Sequence, residues 1–275
     1  MEDAFLRKFN FKKQLGQNFL RNTEAILGMI EALELDSNDI ILEIGPGAGA
    51  LTEFIVPNVK KLILLEIDPA LAELLKEKFA SYSHVEILTA DVLQINIREL
   101  IHTHKINKII GALPYNISKR IIELCCADIE IVLEAAVFML QKEVAFNYAA
   151  KPRTNFLNQF LTIFTEVELG YTVEKSKFFP VPKVDSAAIR FTSLGRDHLV
   201  IEPELIPGYI EFLKLSFQNP RKKLINNFRR LFKNKDWETI FNSLKISKDT
   251  RAEALIQQDF LSLFSETKTV KNIKN

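Results

Sequence analysis

Apolar residues in the first two-thirds of the chain fall into short runs separated by amphipathic stretches. The runs at 40–44, 61–67, 84–89, 107–112 and 131–140 are rich in Ile, Leu and Val, the pattern of strands buried on both faces. Residues 23–35, 70–80 and 117–127 place apolar side chains three and four positions apart, which predicts helices. Strands and helices alternating in this way predict a doubly wound α/β sheet. Val, Ile, Thr and Phe recur near 161–176 and 184–193, predicting two more strands, before the polar stretch SLGRDH breaks the pattern. From Glu202 onward three or four amphipathic helices are expected, with a domain boundary near 195 that divides the chain into 1–195 and 196–275. There is no internal repeat, and the tail after Glu266 is expected to fray.

Composition adds little to this outline. A chain of 275 residues with 47% apolar content can bury a large core and suits one large domain with a smaller one. No uncharged apolar stretch approaches the roughly 20 residues of a membrane helix, and the opening MEDAFLRKFNFKK has no signal-peptide core. No membrane partner and a cytoplasmic location are the expectation. Cys125 and Cys126 are adjacent and offer neither a disulfide framework nor zinc-ligand spacing, and His102 and His104 are a lone pair, so no metal is expected.

Charge matters through its distribution. The net charge is only +1, yet Arg7 to Arg21 holds five basic residues and no acid, and Arg221 to Lys235 holds seven and no acid. Lys12, Lys13 and Arg21 in the first stretch, and Arg221, Lys222, Lys223, Arg229 and Arg230 in the second, are candidates for contacts to RNA phosphates. Solvated basic helix faces give the same pattern. In the second stretch Leu224, Ile225, Phe228, Leu231 and Phe232 recur at helical spacing, so one helix can carry both charge and core.

The candidate chemistry lies at the strand ends. ILEIGPGAGALT at 41–52 reads as strand, glycine turn and helix, with Gly45, Gly47 and Gly49 letting a ligand approach the backbone. A dinucleotide enzyme more often shows G-x-G-x-x-G, and Ala50 stands at the last of those positions. Glu66 ends the second strand, where a carboxylate can accept hydrogen bonds from both hydroxyls of a ribose. Asp91 follows the third strand, placed either to accept from the amine of an adenine or to cap a turn. ALPY at 112–115 follows the fourth strand and differs by one residue from the N-L-P-Y signature of amino methyltransferases.

The likeness extends along the chain. KKQLGQNFL (12–20), ILEIGPGAGALT, EID (66–68), ALPYNIS (112–118), MLQKEVA (139–145), FFPVPKVDSA (178–187), NPRKKLINNF (219–228) and RAEAL (251–255) resemble, in order, the ribosomal RNA adenine dimethyltransferase family. The closer likeness is to its small-subunit members, and less to the macrolide-resistance enzymes that modify large-subunit RNA. The resemblance implies a Rossmann-like class I methyltransferase domain at 1–195, using S-adenosylmethionine and no metal, and a small helical RNA-contacting domain at 196–275. It implies dimethylation of two adjacent adenosines in a 3'-terminal hairpin of small-subunit ribosomal RNA, by a monomer acting on the assembling subunit. A catalytically weak assembly factor and a large-subunit methyltransferase are the alternatives.

Residue by residue, the resemblance makes Asn18, Leu20, Gly45, Gly47, Glu66, Asp91 and position 112 cofactor contacts, with Gln17 in support. It makes Ala112, Leu113, Pro114 and Tyr115 the catalytic loop, with Tyr115 stacking on a flipped adenine and Phe178 covering its other face. Two departures stand out. Ala112 replaces the family Asn, whose side-chain oxygen accepts a hydrogen bond from the reacting amine, so methyl transfer is expected to be strongly reduced while cofactor binding persists. TNFLNQF at 154–160 replaces a Y-G-R-L-S type sequence.

Overall fold

A computed structural model describes residues 18–150, 153–233 and 235–267. The candidates Lys12, Lys13 and Gln17, and the tail from residue 268, lie outside the described residues. The described chain forms two compact units. One takes the described residues up to Ala145 with Phe164–Gly195; the other takes Phe146–Ile163 with those from Arg196 onward.

The first unit is built on a seven-stranded sheet. Its strands in chain order are β2 (Ile40–Ile44), β3 (Lys61–Glu66), β4 (Val85–Thr89), β5 (Lys108–Ala112), β6 (Ala135–Gln141), β7 (Thr165–Val173) and β9 (Ser186–Ser193). They lie in the order β4-β3-β2-β5-β6-β9-β7. The first five are parallel, and β9 enters antiparallel between β6 and β7. A separate ribbon pairs β1 (Phe19–Leu20) with β8 (Phe178–Phe179). Helices α1 (Thr23–Leu33), α2 (Thr52–Ile55), α3 (Pro69–Lys78), α4 (Ile97–His104) and α5 (Ser118–Cys126) connect the strands.

The central strands are apolar because both faces are covered: Ile41, Leu42, Leu62, Leu64, Ile109 and Ile110 are fully buried. Chain order reverses between β2 and β5, which opens a crevice at the carboxyl ends of these strands. The opposite ends are tied by a buried ion pair. Lys108 Nζ lies 2.9 Å from Asp39 Oδ2 and donates to the Glu34 carbonyl at 2.6 Å, while Asn107 Nδ2 donates to Asp39 Oδ1 at 2.7 Å.

The second unit is helical. It contains α7 (Phe156–Leu161), α8 (Ile206–Phe217), α9 (Leu224–Leu231), α10 (Trp237–Ser243) and α11 (Gln257–Thr267); α6 (Lys142–Tyr148) leads into it. Aromatic rings make its core: Phe228 lies 4.7 Å from Trp237 and 5.3 Å from Phe212, and Phe212 lies 5.5 Å from Phe264.

Three expectations differ from this fold. Residues 146–163, read as part of the first domain, pack in the second unit, where Asn158 and Gln159 are buried and Gln257 Nε2 donates to the Thr162 carbonyl at 2.9 Å. The strand expected over 161–176 begins only at Thr165, because helix α7 runs to Leu161 and a turn over 162–164 follows it. The strand expected from 131 begins at Ala135. Leu133 instead pairs with the end of β9: Ser193 Oγ accepts its N–H at 2.9 Å, and Ser193 N–H donates to its carbonyl at 3.0 Å.

Candidate active site

Chain geometry at the end of β2 creates the first half of the site. Gly45, Gly47 and Gly49 have φ of +67°, +61° and +87°, a region that side chains with a Cβ avoid. Gly45 N–H is held by the Leu65 carbonyl at 2.9 Å, and Lys78 Nζ donates to the Ala48 carbonyl at 2.8 Å, so the turn is anchored to β3 and α3. A Cβ on Gly47 would lie 2.6 Å from the Phe19 ring, whereas one on Gly45 would meet nothing within 4 Å.

Glu66 closes the second side. Its Oε2 accepts from Gly47 N–H at 3.1 Å and its Oε1 from Asp68 N–H at 2.9 Å. The residue is 4% exposed, and burial pushes its carboxyl above the usual range against the pull of these donors. Two bonds leave further lone-pair positions on the two oxygens.

The sequence reading passed over Glu43. It lies within the apolar run of β2, 1% exposed, and Oε2 accepts from Thr52 Oγ1 at 2.7 Å. Burial raises its carboxyl to about 8. The available signal was a single acid inside ILEI, where a buried charge is costly unless it has a use.

Asn18, Phe19, Leu20, Glu43, Gly45, Gly47, Glu66, Ala112, Leu113 and Pro114 line one cavity. Eight of the expected site residues are thereby brought together: Asn18, Leu20, Gly45, Gly47, Glu66, Ala112, Leu113 and Pro114. Two buried carboxyls face this cavity and no basic residue lines it among the described residues. Burial raises both carboxyls, so the cavity offers carboxyl oxygens as hydrogen-bonding groups.

Three expected residues lie outside that lining. Asp91 is half-buried two residues beyond β4, and its Oδ1 accepts Leu93 N–H at 2.9 Å, so the turn role is realised in this structure. Tyr115 is half-buried with its phenol 2.7 Å from Ser186 Oγ, and burial raises its pKa. Phe178 is 4% exposed in the core cluster that includes Leu20, paired with that residue across the β1 and β8 ribbon. Its ring is therefore packed away, and not an open face awaiting a base.

The basic candidates divide. Arg21 donates its backbone N–H to the Lys177 carbonyl at 2.9 Å, and its guanidinium lies 5.5 Å from the Phe179 ring centre. Lys223 pairs with Asp249 at 2.5 Å, Arg229 pairs with Glu238, and Arg230 donates to Gln218 Oε1 at 2.7 Å. Arg221 and Lys222 are exposed, and neither forms an ion pair among the described residues.

Comparison with known proteins places the geometry. Residues 8–269 match the family model described as Ribosomal RNA adenine dimethylase. A "Ribosomal RNA small subunit methyltransferase A" of Sulfurihydrogenibium sp. is 36% identical over 263 residues, covering 94% of this chain and 97% of the relative. A protein of the same name from Staphylococcus epidermidis is 33% identical, covering 97% and 93%. Among solved structures, the 23S rRNA methyltransferase ErmE superposes with a TM-score of 0.74 at 26% identity, covering 91% of this chain and 99% of its own. A dimethyladenosine transferase from Plasmodium falciparum gives a TM-score of 0.76 at 24% identity, covering 91% and 98%, a likeness of fold.

Proposed function

The chain belongs to the ribosomal RNA adenine dimethylase family, and on that premise we propose that its lineage dimethylates N6 of two adjacent adenosines in a 3'-terminal hairpin of small-subunit (16S) ribosomal RNA during assembly. S-adenosylmethionine is the cofactor of this reading, and it supplies an electrophilic methyl group. The observation that carries the reading is the single cavity joining the glycine turn, Glu66 and the 112–114 loop. Glu66, buried at the strand end, keeps acceptor positions that fit the two hydroxyls of a ribose.

The residues divide the work. Glu66 accepts from the ribose hydroxyls with the oxygen positions its two backbone donors leave. Gly45, with open space where a Cβ would stand, lets the ligand lie against backbone. Asn18 and Leu20 close the cofactor side, and Asp91 takes the adenine amine with the lone pairs that Leu93 leaves. Tyr115 stacks on the flipped target base, and Phe178 is the residue the family likeness sets on its other side. The adenine amine is a poor nucleophile until its protons are held by acceptors, which aims its lone pair at the methyl carbon. As the new carbon–nitrogen bond forms, the bond to sulfur breaks and the extra amine proton leaves to water.

Ala112 cannot perform the acceptor role, since its side chain carries no oxygen. We therefore read this chain as a weak catalyst, and the absent acceptor favours a second reading in which it docks on the assembling small subunit as a checkpoint factor. Arg221 and Lys222 supply phosphate contacts in either case. A large-subunit methyltransferase is the competing enzyme. Labelled methyl transfer to separated small and large subunits, using this chain and its Ala112→Asn form, tests the assignment. Label in small-subunit adenosines supports it, and label confined to the large subunit overturns it.

A further inference from the structure

We infer that Ser186 is a positioning residue for the reaction: it fixes the ring of Tyr115 in the plane on which the target adenine stacks. This rests on the adenine methyltransferase reading above. The phenol oxygen of Tyr115 and Ser186 Oγ are 2.7 Å apart, and Ser186 is fully buried.

What makes this bond more than the satisfaction of a phenol is the rigidity at both ends. Ser186 begins β9 and is paired on one side with Gln141 of β6 and on the other with Val173 of β7. Its predecessor is tied down as well: the Asp185 carbonyl accepts Lys142 N–H at 2.9 Å, and Asp185 Oδ1 accepts Lys175 N–H at 3.1 Å. The hydroxyl is thus presented from the interior of the sheet.

The backbone end of Tyr115 is equally constrained. Leu113 is buried and donates to the Met139 carbonyl at 3.2 Å, and Ile117 N–H closes a turn onto the Pro114 carbonyl at 3.2 Å. Ser118 Oγ donates to the Tyr115 carbonyl at 3.3 Å. With its Cα set by the turn and its oxygen set by the sheet, the aromatic ring has its torsions fixed before substrate arrives. A ring immobilised beforehand loses no further freedom when a base stacks on it. A tyrosine released from Ser186 would lose that freedom at each encounter and present its face at varied angles.

The test uses two readouts. In the Ala112→Asn background, Ser186→Ala is expected to lower kcat for RNA methylation about five- to tenfold while leaving KM for the cofactor unchanged. Tyr115→Phe, which keeps the ring and removes the same bond, should match it, and the double variant should be no worse than either. Ser186→Thr, which restores the hydroxyl, should remain within about twofold of its parent. Effects that multiply, or full activity of Ser186→Ala, overturn the inference.

The second readout needs no turnover and uses the chain as it stands. With tyrosine labelled at Cζ, the carbon resonance that Tyr115→Phe removes should move and broaden in Ser186→Ala. If that resonance is unmoved, the inference fails whatever the enzyme methylates. If it moves but no ribosomal RNA accepts methyl groups, the bond stands as a positioning device and the reading of its substrate fails.

Discussion

Gly47 donates its backbone N–H to Oε2 of Glu66 at 3.1 Å, which makes the glycine turn and the strand-end acid one hydrogen-bonded unit. Glu66→Ala removes the proposed ribose acceptor and also leaves the Gly47 donor without its partner. S-adenosylhomocysteine binding measured by calorimetry should weaken about 30- to 100-fold, the scale of one or two hydrogen bonds to a charged group. Unchanged affinity would remove Glu66 from the cofactor site.

Glu43 predicts a pH dependence of stability. Its carboxyl titrates at about 8 when folded, against 4.5 ordinarily. Between these values the folded chain holds a proton that the unfolded chain has released. Its contribution is fully present below about pH 4.5 and is lost as pH rises through about 8. Glu43→Gln removes that loss, so the variant's melting temperature relative to the parent should rise between pH 5 and pH 8.5, by the equivalent of a few kcal/mol. A constant difference across that range contradicts the assignment.

Lys108 and Asp39, 6% and 3% exposed at their side chains, form a buried pair remote from the cofactor cavity. Lys108→Met leaves Asp39 buried without its cation and should lower unfolding stability in urea by about 3–5 kcal/mol. The folded variant should bind S-adenosylhomocysteine normally, because neither residue lines the cavity. A loss below 1 kcal/mol would mean that water reaches Asp39.

The basic run before and within α9 separates by pairing. Arg221→Ala together with Lys222→Ala should reduce the slope of log affinity against log salt for small-subunit RNA by about 1 to 2. Lys223→Ala should change it less, since that lysine already faces Asp249. An undiminished slope in the double variant would place the RNA elsewhere.

Much of this architecture was legible because the central strands β2, β3, β5 and β6 are buried on both faces and read as apolar runs. The glycine turn was legible because three left-handed positions each require glycine. The capping signal of α4, Asn96 accepting from Glu99 N–H, was present but overlooked. The ribbon of β1 and β8 has only two residues per strand, too few for any period to show. The short helix over Phe156–Leu161, capped by Asn155, was not legible as an element, since Asn158 and Gln159 interrupt its apolar positions. At the site, proximity of the strand-end residues followed from topology. The packing of Phe178 with Leu20 depends on tertiary contacts that spacing does not encode, and Asp91 was always open to two roles.

Ala112 is proposed to limit a site otherwise arranged for adenine methylation. The direct measurement is labelled-methyl incorporation from S-adenosylmethionine into unmethylated small ribosomal subunits by this chain and by Ala112→Asn, side by side. Restoring one transition-state acceptor should raise kcat about 100- to 1,000-fold, with cofactor affinity little changed. Equal rates in the two proteins would show that another group supplies the acceptor, and the account of Ala112 would be wrong.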